Sequence, residues 1–341
     1  MTKAYMIVDL QFGSTGKGLI AGFLAEQYRP DISVAAWGPN AGHTYIDQYG
    51  KKTIATMIPI GAERSASVMI GPGAAIDKDA FFAEMAIRNL SAKKIFIHER
   101  AAVVTDEHRK EEAGLVRIGS TMKGNAEALI AKMRRGSTLA VHDHDLQPFT
   151  ITANDYRNRM AEARVIAIEG AQGYSLSINH GIYPYVTSRD TTPYQVMADC
   201  GIPYGLCRPK VVGTMRTFPI RVANRYNGAG EQIGTSGPFY PDQFELSWEE
   251  LQVPVELTTV TKLPRRVFTF SDIQVAEAKM HMNPDAVFLN FTNYLQSIPN
   301  NNVVMYWVKR MENLGLKVCW TGDGPAFRNV HPVANKEFTL D

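Results

Sequence analysis

The sequence predicts an α/β protein, a mostly parallel central sheet flanked by helices, with inserted loop and helical subregions. Three observations predict it. Short apolar, β-branched runs alternate with helical segments along the 341 residues. Glycine loops follow the strands at positions 13–18, 38–42, 170–173 and 322–324, and in a parallel sheet such loops emerge at one carboxyl edge, where ligands bind. The opening stretch, 4–18, joins an apolar strand, a glycine turn and a helix start, which together make a place for phosphate. The reading is one domain over 1–341, with 101–164 and 219–266 as peripheral excursions.

Ala4 to Val8 is the first strand, short, apolar and stopped by polar residues and glycine. Gly13-Ser14-Thr15-Gly16-Lys17-Gly18 lets backbone N–H groups converge, and Lys17 adds a full positive charge. The spacing differs from the Walker form, because two residues separate Gly13 from Gly16. Leu19 to Tyr28 reads as a mostly apolar helix. Ser33 to Trp37 is a strand leading into the loop Gly38-Pro39-Asn40-Ala41-Gly42-His43-Thr44. Ser67 to Gly71 and Lys94 to His98 are strands separated by an amphipathic helix, Lys78 to Leu90.

Residues 101–136 change character, with a charged, exposed stretch at His108 to Glu112. Their Ser120 and Thr121 lie between glycines, suited to donating to a phosphate or to capping a helix. The run His142-Asp143-His144-Asp145 is not read as a metal site, because adjacent residues rarely point at one ion. Val165 to Glu169 is a strand, followed by Gly170-Ala171-Gln172-Gly173 and a long polar loop, 179–192, whose aromatic content argues for function over disorder. Pro193 to Gly201 is a helix. Val211 to Phe218 is a strand carrying Arg216, and 224–247 is a surface excursion. The stretch 256–266 mixes hydroxyls with cations, a composition for gripping carboxylates or an exposed edge strand. Ser271 to Met282 is a helix with Ser271 as N-cap, Val287 to Phe291 a strand, and Asn301 to Leu314 a helix stopped by Gly315. Lys317 to Trp320 is the last strand, before Gly322, Gly324 and Pro325.

Hydrophobic residues are 45% and charged residues 21%, a soluble globular profile, and the net charge of +2 excludes a broad nucleic-acid or membrane surface. Cys200, Cys207 and Cys319 have neither metal nor disulfide spacing, which fits a reducing, cytoplasmic compartment. The N-terminus is already a core strand rather than a signal peptide.

Several blocks together resemble adenylosuccinate synthetase: Gln11 to Gly18, Asn40 to Thr44, Ile118 to Thr121, Glu169 to Gly173, His180 to Ser188 and Thr258 to Thr261, in the family's order. The resemblance implies a P-loop-NTPase-like fold and a two-step ligase. A nucleoside triphosphate phosphorylates O6 of a purine monophosphate, and aspartate then displaces the phosphate. It implies His43 as general acid, Lys17 at the phosphates, Ser14 in the catalytic loop, and Ser14 and Gly42 toward Mg²⁺. The nucleotide set is Thr15, Gly16, Lys17, Gly18, Gly42, His43, Thr44, Asn290, Asn293, Gly322, Gly324 and Pro325. The monophosphate set is Ser14, Asn40, Ser120, Thr121, Arg134, Arg135, Gln172, Thr187 and Arg216. The aspartate set is Thr258, Thr259, Val260, Thr261 and Arg265. Arg134 and Arg135 lie where the family sends an arginine into a neighbouring subunit, which implies a homodimer.

Three departures from the family pattern shape the expected substrate. Ser14 stands where the family has its catalytic aspartate, leaving room for a 2-amino group, and this resembles the phage branch that starts from dGMP. Asn293 replaces the guanine-reading aspartate, and an amide suits adenine better, so ATP or dATP is expected in place of GTP. Leu263 replaces an arginine expected at the ribose, which suits deoxyribose. What removes the N1 proton is open, with Asp9 the nearest carboxylate in sequence. The expected activity joins L-aspartate to dGMP. The alternatives are an ordinary synthetase using IMP and GTP, and a nucleotide-dependent switch that performs no ligation.

Overall fold

The computed structural model describes residues 2–258, 262–295 and 302–341. Its centre is a ten-stranded sheet, ordered Val330–Pro332, Val318–Gly322, Ala286–Asn290, Lys210–Arg216, Lys3–Asp9, Val165–Glu169, Ile32–Ala35, Ser67–Ile70, Ile95–His98, Thr150–Ile151. Every pairing is parallel except the last, where Val330–Pro332 runs antiparallel to Val318–Gly322. The sheet is covered on both faces, and the first strand shows why. Ala4, Met6 and Val8 join one hydrophobic layer, which includes Val275, Met282, Trp307 and Met311 of the helices Asp272–Met282 and Val303–Asn313. Tyr5 and Ile7 face the other way, onto Leu19, Ile20 and Leu24 of the helix Lys17–Tyr28. Strand residues alternate between faces, so a doubly covered strand must be apolar throughout, as this one is.

The predicted strands and helices are present, with ends shifted by a few residues. Several strands were not predicted, and two of them bear on the site. His43–Ile46 and Lys52–Ala55 form an antiparallel hairpin, so His43 begins a strand and is not a loop residue. The signal was there: two alternating runs flank a turn containing Gly50. Lys317 to Trp320 is not the last strand, because Val330–Pro332 adds an edge that is too short to stand out in sequence.

Ser271 caps its helix, accepting from the Gln274 N–H. Neither Ser120 nor Thr121 is a cap. The helix there is Asn125–Met133, and Gly124 precedes it. Residues 219–266 carry short antiparallel strands, including Ile220–Arg221 and Glu245–Leu246 on either side of Arg266–Phe268. Among the described residues, no helix is long and apolar enough to cross a membrane.

Candidate active site

The glycine loop is built on Asp9, the last residue of the first strand and buried. Its Oδ1 accepts from the Gln11 N–H at 2.9 Å and the Gly13 N–H at 3.2 Å. Its Oδ2 accepts from the Thr15 hydroxyl and from the Lys17 ammonium at 2.9 Å. Lys17 also donates to the Gln172 carbonyl at 2.8 Å. Asp9 is therefore turned into the loop, with both oxygens engaged, and is not placed as a free base. Gly13 and Gly16 take positive φ, 91° and 92°, and so does Ser14 at 56°. For a serine this conformation costs of the order of 1 kcal/mol, so the surroundings must hold it. Ser14 is exposed at the tip of the loop.

The residues expected at the nucleotide converge. A Cβ on Gly16 would meet Asn290 Nδ2 at 2.1 Å, and Asn290 donates to the Thr15 carbonyl at 3.2 Å. Asn290 is buried and braces the loop. A Cβ on Gly322 would meet Asn290 Oδ1 at 2.3 Å, and Thr292 donates to the Gly322 carbonyl at 3.0 Å. Asn293 lies half-buried in the turn Thr292–Leu295 beside them. Gly324 and Pro325 follow, and Ala326 bridges to Ile46 of the hairpin. Gly18 packs against Thr44, whose carbonyl a Cβ would meet at 2.7 Å. Gly42 and Thr44 are exposed.

His43 is buried beneath them. Its Nδ1 lies 3.4 Å from Glu169 Oε2, and its ring meets Trp37 edge-on at 4.7 Å. Glu169 Oε1 accepts from the Gly61 N–H at 3.0 Å. Burial holds the imidazole below the usual histidine range, while the hydrogen bond to Glu169 pulls the other way.

The residues expected at the monophosphate lie on several segments, three of which meet. Gln172 takes a φ of 65° in the loop after Glu169. That loop touches the glycine loop closely, because a Cβ on Gly173 would lie 2.4 Å from both the Gln11 carbonyl and the Gly13 nitrogen. Asn40 is half-buried after the second strand. The Thr187 N–H donates to the Leu176 carbonyl at 2.7 Å, and the Ser188 hydroxyl accepts from Asn125 at 3.1 Å. Asn125 in turn fills the space beside Gly38, so segments 38–42, 120–125 and 187–188 meet. Ser120 donates to Glu112 at 2.9 Å, and Thr121 beside it is half-buried. Arg134 and Arg135 follow the helix Asn125–Met133 and are exposed.

Arg216 ends its strand fully buried, its guanidinium on Glu256 and on the Ser14 carbonyl. Thr258 and Leu263 exchange hydrogen bonds, and the Arg265 N–H donates to the Glu256 carbonyl at 2.8 Å. Thr259, Val260 and Thr261 lie outside the described residues. Sequence reasoning missed Gln11, Glu169 and Glu256, whose partners are remote in the chain. Gln11 holds both backbone groups of Arg216, donating to its carbonyl at 3.2 Å and accepting from its N–H at 2.8 Å.

A glycine loop held on a carboxylate, a lysine, a buried histidine and converging loops at one sheet edge suit transfer of a phosphoryl group between two nucleotides. Comparison with known proteins agrees with this arrangement. The chain is 48% identical over 317 residues to N6-succino-2-amino-2′-deoxyadenylate synthase of Salmonella phage PMBT28, covering 86% of each chain. It resembles the solved succinoaminodeoxyadenylate synthetase of cyanophage S-2L, bound to dGMP and to dATP as an energy donor, with a TM-score of 0.88, 40% identity, and 98% and 97% of the two chains covered. It is also 31% identical to adenylosuccinate synthetase of Pyrococcus horikoshii, covering 82% of this chain and 80% of that one. The sequence profile of adenylosuccinate synthetase matches residues 6–147 and 136–314, and the chain belongs to that family.

Proposed function

We propose that the chain is a carbon–nitrogen ligase joining L-aspartate to dGMP. ATP or dATP is the phosphoryl donor, and the products are N6-succino-2-amino-2′-deoxyadenylate, the nucleoside diphosphate and phosphate. The observation that carries this reading is Ser14, exposed at the tip of the loop where the family pattern has an aspartate. A hydroxyl there leaves room for the guanine 2-amino group and can hydrogen-bond to it. The names of the phage relatives, and the dGMP and dATP bound in the cyanophage structure, support the same substrates.

In the first step, O6 of dGMP attacks the γ-phosphorus, the bond to the β–γ bridging oxygen breaks, and N1 gives up its proton to water. In the second, the aspartate amine attacks C6 and loses a proton to water, the C6–O6 bond breaks and phosphate leaves. Lys17 and the loop N–H groups stabilise the transferring phosphoryl, and His43 donates a proton to the developing oxygen. Asn293 offers a donor and an acceptor to an adenine edge.

Mg²⁺ fits as a group held chiefly by substrate phosphates. Ser14 and Gly42 are exposed, nothing among the described residues lies within 4 Å of a Cβ on Gly42, and no cluster of three His, Cys, Asp or Glu forms among them. The Gly42 carbonyl and the Ser14 hydroxyl would hold it, and when bound it neutralises phosphate charge.

The test is phosphate release with aspartate and Mg²⁺, crossing IMP, GMP and dGMP with ATP, dATP and GTP. Release with dGMP and an adenine nucleotide is expected. Release with IMP and GTP would overturn the proposal. Ser14→Asp should lower kcat/KM for dGMP by roughly tenfold or more, and a rise would count against the role of Ser14.

A further inference from the structure

In sequence Arg216 reads as a dGMP contact, but its surroundings give it other work. Its side chain is 0% exposed. The guanidinium stacks on Phe291, 3.8 Å from the ring centroid. Nη2 donates to Glu256 Oε1. Nη1 is shared between the Ser14 carbonyl at 3.2 Å and Glu256 Oε2 at 3.3 Å. Tyr294 donates to the same Glu256 Oε1 at 2.8 Å. Nε has no partner among the described residues. Burial would raise the Glu256 carboxyl, but the Arg216 charge and hydrogen bonds hold it below its ordinary value.

One ion pair thus touches three segments. Ser14 belongs to the glycine loop. Glu256 begins the stretch 256–265, and its carbonyl accepts from Arg265. Phe291 and Tyr294 flank Asn293. A buried ion pair is a poor way to add stability, because desolvation cancels most of the attraction and a well-packed apolar pair would serve as well. It is a good way to fix geometry, since a guanidinium and a carboxylate accept few arrangements. The shared Nη1 matters most. If Glu256 shifts, the donor held against the Ser14 carbonyl shifts with it, and Ser14 sits in a conformation that needs holding.

We propose that Arg216 and Glu256 are positioning residues that couple Thr258 and Arg265, the described residues expected at aspartate, to the Ser14 loop, so that occupancy of either substrate site tightens the other, with neither side chain touching substrate. This deepens the reading above, resting on its placement of dGMP at Ser14 and on the family resemblance that puts aspartate near Thr258 and Arg265.

The test compares wild type with Glu256→Gln, which removes the charge and keeps the shape, and Tyr294→Phe, which removes one hydrogen bond to the same carboxylate. Binding of dGMP is measured by calorimetry with and without succinate, an aspartate lacking the reactive amine, and KM and kcat are measured in parallel. In wild type, succinate should tighten dGMP binding about fivefold or more. In Glu256→Gln that gain should fall below about twofold, with KM for aspartate up roughly tenfold and kcat within about threefold. Tyr294→Phe should fall between. If wild type shows no coupling, or if the folded variants keep both the coupling and the wild-type KM for aspartate, the proposal is overturned. A lower melting temperature with KM and coupling unchanged would mean a merely structural pair and would overturn it equally. Should Glu256→Gln not fold, Tyr294→Phe decides alone. If wild type ligates IMP in place of dGMP, the substrate reading fails by itself, and the same coupling is then read with IMP.

Discussion

His43 can act as an acid only while protonated, and its burial works against that. The Glu169 carboxylate is what restores some of the proton affinity, from 3.4 Å away. Replacing Glu169 with Gln removes the negative charge, so the imidazole pKa falls further and the protonated fraction at any given pH shrinks. The alkaline limb of the kcat profile should then move to lower pH, with kcat near pH 8 down roughly three- to tenfold. A profile measured at saturating substrates checks this, and an unmoved limb would remove Glu169 from the argument. Nothing near His43 in sequence announces this partner, because 126 positions separate the two residues. Lys17, Ser14 and His43 stood out in sequence because the first two lie in a glycine loop and His43 directly follows another, although it begins a strand. The contacts of Gln11 and Glu256 with Arg216 did not, since they arise only when the fold brings distant segments side by side, and nothing in the sequence shows that Asp9 turns into its own loop.

At the scale of elements, the loops at the sheet edge are fitted to one another through glycines. Gly173 is among the tightest cases that involve backbone. A Cβ there would sit 2.4 Å from the Gln11 carbonyl and the Gly13 nitrogen and 2.7 Å from Asp9 Oδ1, none of which can move without undoing the glycine loop. Gly173→Ala should therefore push the 170–173 loop off its neighbour and strip Lys17 of its Gln172 partner. We expect a stability loss of about 1–3 kcal/mol, the usual range for overpacking, and a KM for the nucleotide at least several-fold higher. Urea unfolding and steady-state kinetics measure both, and wild-type values for each would show that the two loops are not packed in this way. Sequence showed that glycines follow the strands, but not which atoms approach them. It also marked the long elements well, since a strand buried on both faces or a helix of ten residues carries many consistent positions. Val330–Pro332 carries three, and an edge strand that short leaves no periodic trace.

Across the whole molecule, strand order places the chemistry. The first strand lies between Val165–Glu169 and Lys210–Arg216, and the chain winds outward from it in both directions. Loops from both halves of the sequence therefore meet around Asp9, which is why blocks spread over some three hundred residues can serve one site. Arg134 and Arg135 stand apart from that convergence, exposed after their helix, while Ser120 and Thr121 before the same helix stay half-buried. Exposure is what a role in a neighbouring copy of the chain would require. If the arginines have that role, the double variant Arg134→Ala, Arg135→Ala and the variant His43→Asn should each be nearly inactive as homodimers, and mixing them should restore activity. In a heterodimer one site pairs an intact His43 with intact partner arginines, and the other site has neither. Random exchange at equal concentrations makes half of the dimers mixed, so activity should recover to about a quarter of the wild-type value per site. The assay is phosphate release after subunits exchange under mild denaturant and are returned to buffer. No recovery, with exchange verified by tagged subunits, would place these arginines outside the partner's site. A double variant with full activity alone would remove them from catalysis altogether.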